Sequence, residues 1–359
     1  MINLRYLKKI GYGFGYGGAL PEEVKYTKQH KQALKFFAYS IKGNLIDTAN
    51  SYGRGASERI IGKLSSKIKK KNFISSKVDQ EKLKFNDFIN SVKNSLDNLQ
   101  IKTLDLIQPH WPNYDVKNDE IISAFKFLKK RKKVRYFGLS NYDLKEIKYF
   151  KKKLKNSFKF IQEEFSLRDR EINDKISFCE KNNIKILCYS PLGEGNIRFL
   201  KKEKKLLSEI AKKYKISKYQ IILNYLSTKS KNIILIPHTK NINHLKDNLN
   251  SLDFKLSRED TYKIDQFFKP KYLKIRLRDV NYLDKKYKKI KSLDDAIKNK
   301  GKLSPSPKAI ALKLKNGYRF KSIKLKLINK KYYIKQGRLR YWAHVLAFGW
   351  NKKIKMMLV

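Results

Sequence analysis

Four polar residues stand at or just past the ends of short apolar runs. Asp47 ends Leu45-Ile46-Asp47, Tyr52 follows in the next loop, Lys77 sits near the end of Phe73–Val78, and His110 closes Leu104–His110. Together they form the set that reduction of a carbonyl requires. Hydride arriving at the carbonyl carbon builds alkoxide charge on oxygen, and an acid must protonate it. A tyrosine with its ordinary pKa of ~10 is a weak acid, but a nearby ammonium favours the phenolate. Lys77 supplies such an ammonium, Asp47 would hold it in place, and His110 would orient or share the substrate oxygen. Each residue alone has an ordinary reading: an aspartate that anchors a loop, one lysine among many, a histidine packed into Pro-His-Trp-Pro. The conjunction carries the signal.

These residues converge only if their strands are parallel neighbours, and the chain reads that way. Short apolar runs alternate with helical periodicity from Lys9 to Phe268. Strands are expected over Lys9–Gly18 (running into a loop), Leu45–Asp47, Phe73–Val78, Leu104–His110, Val134–Ser140, Phe160–Phe165, Ile184–Ser190 and Ile233–Ile236. Helices are expected over Thr27–Lys42, Ser57–Lys69, Phe85–Leu99, Glu120–Lys130, Asp143–Lys153, Glu171–Asn182, Leu206–Tyr214, Lys218–Leu226, Ile242–Leu252 and Arg258–Phe268. Continuous apolar strands suit a parallel sheet buried on both faces. About eight of them, with no G-x-G-x-x-G opening an early helix, favour an eight-stranded β/α barrel over a doubly wound sheet. Active sites of such barrels lie at the C-terminal ends of the strands. The barrel is expected to span residues 1–270.

From Lys271 the texture changes. Residues 271–359 hold 27 Lys and Arg against four Asp and no Glu. Leu303-Ser304-Pro305-Ser306-Pro307 marks a break, Ile323–Leu327 and Lys331–Ile334 read as strands, and Arg340–Ala347 as a helix, which together make a small α+β module. The whole chain of 359 residues carries a formal charge of +52. Such a charge fits a nucleic-acid or acidic-membrane partner, or a composition biased toward Lys, Asn and Ile. The lysines are spread over most expected helices and gather in no single stripe, which favours the second account. With 41% hydrophobic and 13% aromatic residues the chain can build a core. Cys179 and Cys188 lack metal spacing and read as buried free thiols of a reducing compartment. No leader-like run opens the chain and no stretch approaches the ~20 apolar residues of a membrane helix, so a cytoplasmic protein without a membrane partner is expected, with no metal.

Beyond the residues themselves, the chain from about Lys9 to Pro270 resembles the aldo-keto reductases. The resemblance rests on Asp47-Thr48-Ala49 with Tyr52-Gly53 and Ser57-Glu58, on Ser76-Lys77, on Leu106-Ile107-Gln108-Pro109-His110 and on Phe137-Gly138-Leu139-Ser140-Asn141. It continues through Gln162, Tyr189-Ser190-Pro191-Leu192-Gly193, and Ile236-Pro237 with His244 and Asp247-Asn248. The resemblance implies a nicotinamide cofactor bound in extended form across the barrel mouth. It assigns Tyr52 as general acid, with Asp47, Lys77 and His110 as its partners. Ser140, Asn141 and Gln162 would hold the carboxamide, Tyr189 would stack on the nicotinamide, and Ser190 and Leu192 would cradle the phosphates. His244 and Asn248 match the adenosine end. His238 stands where the family more often has glycine or lysine, and His244 where an arginine commonly clamps the ribose phosphate. Lys240 could meet a 2′-phosphate as a point charge, less specifically than a guanidinium, so NADP is expected, with NAD as the alternative. Gly53-Arg54-Gly55 and Trp111–Tyr114 offer cationic and aromatic contacts suited to a sugar or anionic aldehyde, within a wider expectation of an aldehyde, ketone or sugar carbonyl. For Trp111, loop packing is an equal account.

The segment from about Tyr272 to Val359 resembles the ParB N-terminal and sulfiredoxin-like fold, whose G-x-x-R motif matches Gly337 and Arg340. A glycine and arginines opening a helix form an anion site, here for a phosphate or nucleotide. Arg338 stands at sulfiredoxin's catalytic cysteine position, which excludes that activity. Two functions follow for the chain: an NAD(P)H-dependent carbonyl reductase, or a nucleotide- or nucleic-acid-binding protein with the barrel as scaffold.

Overall fold

A computed structural model of the chain describes residues 3–15, 26–193, 199–282, 292–299 and 304–359. Tyr16–Gly18 of the expected first loop and Leu303 of the expected break lie outside them. Eight strands form one sheet in sequence order. They are β1 (Tyr12–Gly13), β2 (Leu45–Asp47), β3 (Phe73–Val78), β4 (Leu104–Pro109), β5 (Val134–Ser140), β6 (Phe158–Glu164), β7 (Lys185–Tyr189) and β8 (Ile233–Leu235). Every neighbouring pair is parallel. A parallel bridge between Ile10 and Leu235 joins the last strand to the first and closes the barrel.

The barrel interior is built on a period of two. Leu45, Phe73, Leu106, Phe160, Leu187, Ile234 and Ile236 pack against one another inside it, with Tyr136 and Tyr189 at their margin. Side chains two residues apart share a face of a strand. One step from Leu45 therefore reaches Asp47, and two steps from Phe73 pass Ser75 to reach Lys77. From Leu106 the same steps reach Gln108 and His110; from Phe160, Gln162. The apolar plug and the polar mouth are successive layers of the same strands.

Among the described residues ten helices of this part surround the barrel: α1 (Lys28–Tyr39), α2 (Ala56–Gly62), α3 (Ser66–Lys71), α4 (Phe85–Leu99), α5 (Asn118–Lys130), α6 (Leu144–Leu154), α7 (Asn173–Lys181), α8 (Lys201–Tyr214), α9 (Lys218–Ser227) and α10 (Ile242–Asn250); α11 (Arg258–Phe267) closes the run. In α4 the buried Phe88, Val92, Leu96 and Leu99 follow the helical period and face the barrel. The helix expected as one piece over Ser57–Lys69 is two, α2 and α3. Ser65 caps the second through its side chain, which accepts from the Ile68 N–H. Lys69 then buries its ammonium on carbonyls that helix ends leave unpaired, donating to Gly62 (2.8 Å), Leu99 (3.2 Å) and Gln100 (3.1 Å).

Past Phe268 the chain builds a second, five-stranded sheet in the order β10-β12-β11-β13-β9. Its strands are β9 (Lys271–Arg276), β10 (Val280–Tyr282), β11 (Lys324–Ile328), β12 (Lys331–Gln336) and β13 (Lys353–Leu358), with helices α12 (Leu293–Lys298), α13 (Pro307–Lys315) and α14 (Arg338–Phe348). The sequence signalled β11, β12 and α14 but missed β9, β10 and β13. Lysine and arginine alternating with apolar residues over Lys271–Arg276 disguise a strand whose exposed face is basic. This module has its own core around Leu277, Leu325, Ile334, Tyr341, Trp342 and Met356. A separate apolar cluster joins Ile310, Ala311 and Ala343 to Tyr114 of the barrel.

The module lies against the loops that follow β4–β7. The Asn113 amide donates to Ser304 (2.6 Å), and Asp115 accepts from the Ser306 N–H (2.8 Å). Tyr114 meets Phe320 edge-to-face at 5.3 Å, and the Asp143 carboxylate accepts from the Arg319 N–H (3.2 Å). Asn113 and Tyr114, which the sequence offered to substrate, are thus occupied by this contact. No helix among the described residues is long and apolar enough to cross a membrane.

Candidate active site

The site begins with a buried ion pair. Lys77 and Asp47 are 1% and 3% exposed, and the Lys77 ammonium donates to Asp47 Oδ2 at 2.7 Å and to the Thr48 carbonyl at 2.8 Å. Both oxygens of the carboxylate accept further hydrogen bonds. Ser75 Oγ donates to Oδ1 (2.9 Å) and Gln162 Nε2 to Oδ2 (3.0 Å), while Gln108 Nε2 donates to Gln162 Oε1 (2.7 Å). An ion pair this deep survives only when hydrogen bonds complete it. The Gln108 side chain needs room to reach Gln162, and Gly138 provides it: a Cβ there would lie 2.9 Å from Gln108 Oε1 and from the Phe160 carbonyl oxygen.

Tyr52 is delivered by the loop between β2 and α2. Gly53, Arg54 and Gly55 all adopt positive φ, which turns the chain sharply into the helix. The buried Ser57 hydroxyl donates to the Phe14 carbonyl (2.5 Å), and the buried Glu58 carboxylate accepts from Ser76 (2.6 Å) and Asn98 (3.2 Å). Ser57 and Glu58 therefore anchor the loop and do not face the mouth. The Tyr52 ring rests on the backbone of Gly15, where a Cβ would stand 2.2 Å from it. Its hydroxyl lies 3.5 Å from His110 Nε2, its ring meets His110 edge-on at 5.4 Å, and the Lys77 ammonium is 5.1 Å from its ring centre. Ser51 Oγ is 3.4 Å from the other imidazole nitrogen. All four residues expected at one mouth are brought together.

Electrostatics give each a fixed state. Burial, with the Lys77 charge adding to it, pulls His110 down to about 3, so its imidazole is neutral near neutrality. Burial lowers Lys77, but Asp47 and Tyr52 outweigh it and the ammonium is held above its usual range. Burial raises Tyr52; Lys77 draws it down and Asp47 pushes it up, and the net shift is upward. The sequence led to the expectation that Lys77 would lower the phenol. It does, but desolvation is the larger effect. A protonated phenol, backed by an ammonium and flanked by a neutral imidazole, is a proton donor whose conjugate base has a stabilising charge beside it.

The residues expected to hold a cofactor form two groups. Ser140, Asn141, Gln162 and Tyr189 gather at the ends of β5, β6 and β7. Asn141 Nδ2 donates to Ser140 Oγ (3.0 Å) and the His110 carbonyl (3.2 Å), and Tyr189 donates its hydroxyl to Asn141 Oδ1 (2.8 Å). Ser190, at positive φ, and the half-buried Leu192 turn away just beyond β7. Lys240 and His244 are exposed around the first turn of α10, which Asn241 caps, and Asn248 is buried further along it. An aromatic ring beside amides at one end, and a helix N-terminus with a lysine at the other, fit an extended dinucleotide. Lys321 of the C-terminal module also enters the first group, and sequence reasoning missed it together with Ser75 and Gln108. The period of two could have found Ser75 and Gln108, each two residues before a site residue; nothing local points to Lys321. Gly337 starts α14 at φ 101°, and the Arg340 guanidinium folds back beside it to donate to the carbonyls of Lys321 and Ser322 (3.3 Å to the latter).

Residues 9–269 match the model of the aldo/keto reductase family. Methylglyoxal reductase YeaE of Escherichia coli (strain K12) is 27% identical over 265 residues, which cover 73% of this chain and 91% of that protein. Glyoxal reductase of Bacillus subtilis (strain 168) is 30% identical over 222 residues, 61% of this chain and 77% of its own. Among solved structures, the thermostable aldo-keto reductase Tm1743 with the inhibitor epalrestat has a TM-score of 0.64 at 30% identity, covering 72% of this chain and 95% of that one. An aldo-keto reductase from Klebsiella pneumoniae in complex with NADPH has a TM-score of 0.64 at 25% identity, covering 73% and 91%.

Because only a glycine lets the Tyr52 ring lie where it does, Gly15→Ala is expected to lower kcat about 10- to 100-fold by misplacing the Tyr52 phenol. NADPH affinity, read by fluorescence titration, should stay within about twofold of wild type; a loss of affinity with intact kcat would assign Gly15 to the cofactor.

Proposed function

The chain belongs to the aldo/keto reductase family, and on that premise we propose that it reduces small aldehydes, ketones or sugar carbonyls at the mouth formed by Asp47, Tyr52, Lys77 and His110. It is an NADP-dependent oxidoreductase. The bound cofactor supplies the hydride; the chain's own residues place the carbonyl and manage the proton. Tyr52 donates its proton to the carbonyl oxygen as charge develops there. The Lys77 ammonium stabilises the phenolate that remains, and Asp47 fixes the ammonium without exchanging a proton. Neutral His110 donates a hydrogen bond to the same oxygen and, being neutral, does not compete as the acid. Ser140 and Gln162 hold the carboxamide beside the already engaged Asn141, Tyr189 takes the ring, and Ser190, Leu192, Lys240, His244 and Asn248 take the phosphates and adenosine. The observation that carries this reading is the single buried network joining Lys77, Asp47, Gln162 and Gln108 beneath Tyr52 and His110.

Methylglyoxal and glyoxal, named in two relatives, set the size of carbonyl to try first. The buried thiols Cys179 and Cys188 support a reducing compartment, and we place the activity in the cytoplasm. Residues 1–270 and 271–359 are read as two domains. The likeness of the second to the ParB N-terminal and sulfiredoxin-like fold, with a phosphate or nucleotide ligand at Gly337 and Arg340, is a further proposal. The positive φ of Gly337 opening α14 supports it, while the Arg340 guanidinium is directed to the carbonyls of Lys321 and Ser322.

Three outcomes follow. Tyr52→Phe should cut reductase turnover at least about 1000-fold while NADPH still quenches the protein's fluorescence; unchanged turnover removes Tyr52 as the acid. With His110 neutral above about 3 and Tyr52 raised, kcat/KM for reduction should run level from pH 5 to 8. It should decline only at higher pH, as the phenol loses the proton it must donate; a limb near the ordinary histidine pKa of ~6.5 would contradict this. Arg340→Ala in the full chain should weaken inorganic pyrophosphate binding, measured by calorimetry; equal binding rejects the phosphate reading.

A further inference from the structure

The polar groups of Asn141 are all taken. Its two amide hydrogens go to Ser140 and to the His110 carbonyl, and its Oδ1 accepts from Tyr189. The second donor to Oδ1 comes from outside the barrel: the Lys321 ammonium at 2.9 Å, which also donates to the Tyr189 hydroxyl at 3.3 Å and pairs with Glu163 Oε2 at 3.2 Å. Its side chain is only 12% exposed. Glu163 is fully buried and shared with Lys175 of α7 (2.7 Å), so the ammonium is seated against a fixed charge.

The backbone that carries Lys321 is pinned from both sides. Arg340 donates to the carbonyls of Lys321 and Ser322, and the Ser322 N–H donates to both oxygens of Glu171 (3.0 and 3.1 Å). Lys324, one step further along, pairs with Glu164 at 2.6 Å and Asp169 at 2.8 Å. The barrel offers Glu163, Glu164, Asp169 and Glu171 within one short stretch, and the module answers with Lys321, Lys324 and the Ser322 N–H. An ordinary docking contact needs none of these groups to reach the mouth, yet Lys321 extends past the acids to Asn141 and Tyr189. An amide whose oxygen receives two donors cannot turn over, and a phenol that gives to one partner and takes from another holds its ring in one plane.

We propose that Lys321 is a positioning residue for the cofactor: from the C-terminal module it fixes the Asn141 amide and the Tyr189 ring, so that the module completes the nicotinamide end of the barrel's site. The inference rests on the proposed reductase function.

The test compares NADPH dissociation constants, by fluorescence titration, with kcat and KM. Lys321→Met should raise the NADPH Kd about tenfold, a loss typical of a hydrogen bond from a charged group, while KM for the carbonyl shifts less than about twofold. Lys321→Cys should behave alike, and aminoethylation with 2-bromoethylamine should restore the affinity by returning an ammonium. The native thiols do not interfere: Cys179 is buried and pushed up to about 12, and Cys188 is buried and held well above the usual thiol range. Asp115→Ala, which loosens the module at its Ser306 contact, should leave NADPH affinity unchanged and so separates positioning from docking. Unchanged or tighter NADPH binding by Lys321→Met, no recovery on aminoethylation, or an equal loss in Asp115→Ala would overturn the proposal. A wild-type chain that binds no NADPH would instead overturn the cofactor reading, and this inference with it.

Discussion

The mouth of this barrel depends on one interaction, the ion pair between Lys77 and Asp47. Two charges taken from water pay a large desolvation penalty, which their attraction offsets only if the remaining hydrogen-bonding groups are also met. Here Ser75, Gln162 and the Thr48 carbonyl meet them. Removing either charge would strand the other in the interior, at a cost of about 3–5 kcal/mol. The pair therefore fixes more than itself. Gln162 is oriented by Asp47, Gln108 by Gln162, and Gly138 must be a glycine because Gln108 passes so close.

The same charge divides the labour among its neighbours. Burial drives His110 neutral, and the nearby ammonium adds to it by making a second positive charge expensive. The effect on a phenol has the opposite sign, since the ammonium favours phenolate, yet burial prevails and Tyr52 keeps its proton at rest. That balance suits an acid called on only when charge appears on a substrate oxygen. The proton is held until needed, and the counter-charge for the phenolate is already in place.

Much of this was legible in sequence because strand periodicity is local. Asp47, Lys77 and His110 end runs whose spacing alone places them on one face, and the barrel follows from alternation and length. Helix ends were less legible. The break between α2 and α3 depends on Ser65 as a cap and on Lys69 reaching carbonyls of two helices, one of them distant in sequence. The basic strands β9 and β13 hide among lysines. Lys321 was illegible altogether, because its meaning comes from where Glu171 and Arg340 hold its backbone, and no local pattern encodes a docking geometry.

The charge of the chain takes on a different sense at that contact. With 84 basic and 32 acidic residues, compositional bias accounts for how many lysines there are but not for where the scarce acids fall. Four of them occupy the stretch from Glu163 to Glu171, under the most basic part of the chain, and two module cations and one backbone N–H meet them. Elsewhere like charges repel, and a lysine-rich module laid on a lysine-rich barrel would find few places to rest. An acidic seat at the ends of β6 and in the following loop leaves one favourable position, and electrostatic matching of this kind fixes register more than it adds affinity. The register it fixes is the one that brings Lys321 to Asn141 and Tyr189. The scarcity of acids thus makes the position of the module unambiguous, and the site beneath it inherits that definition.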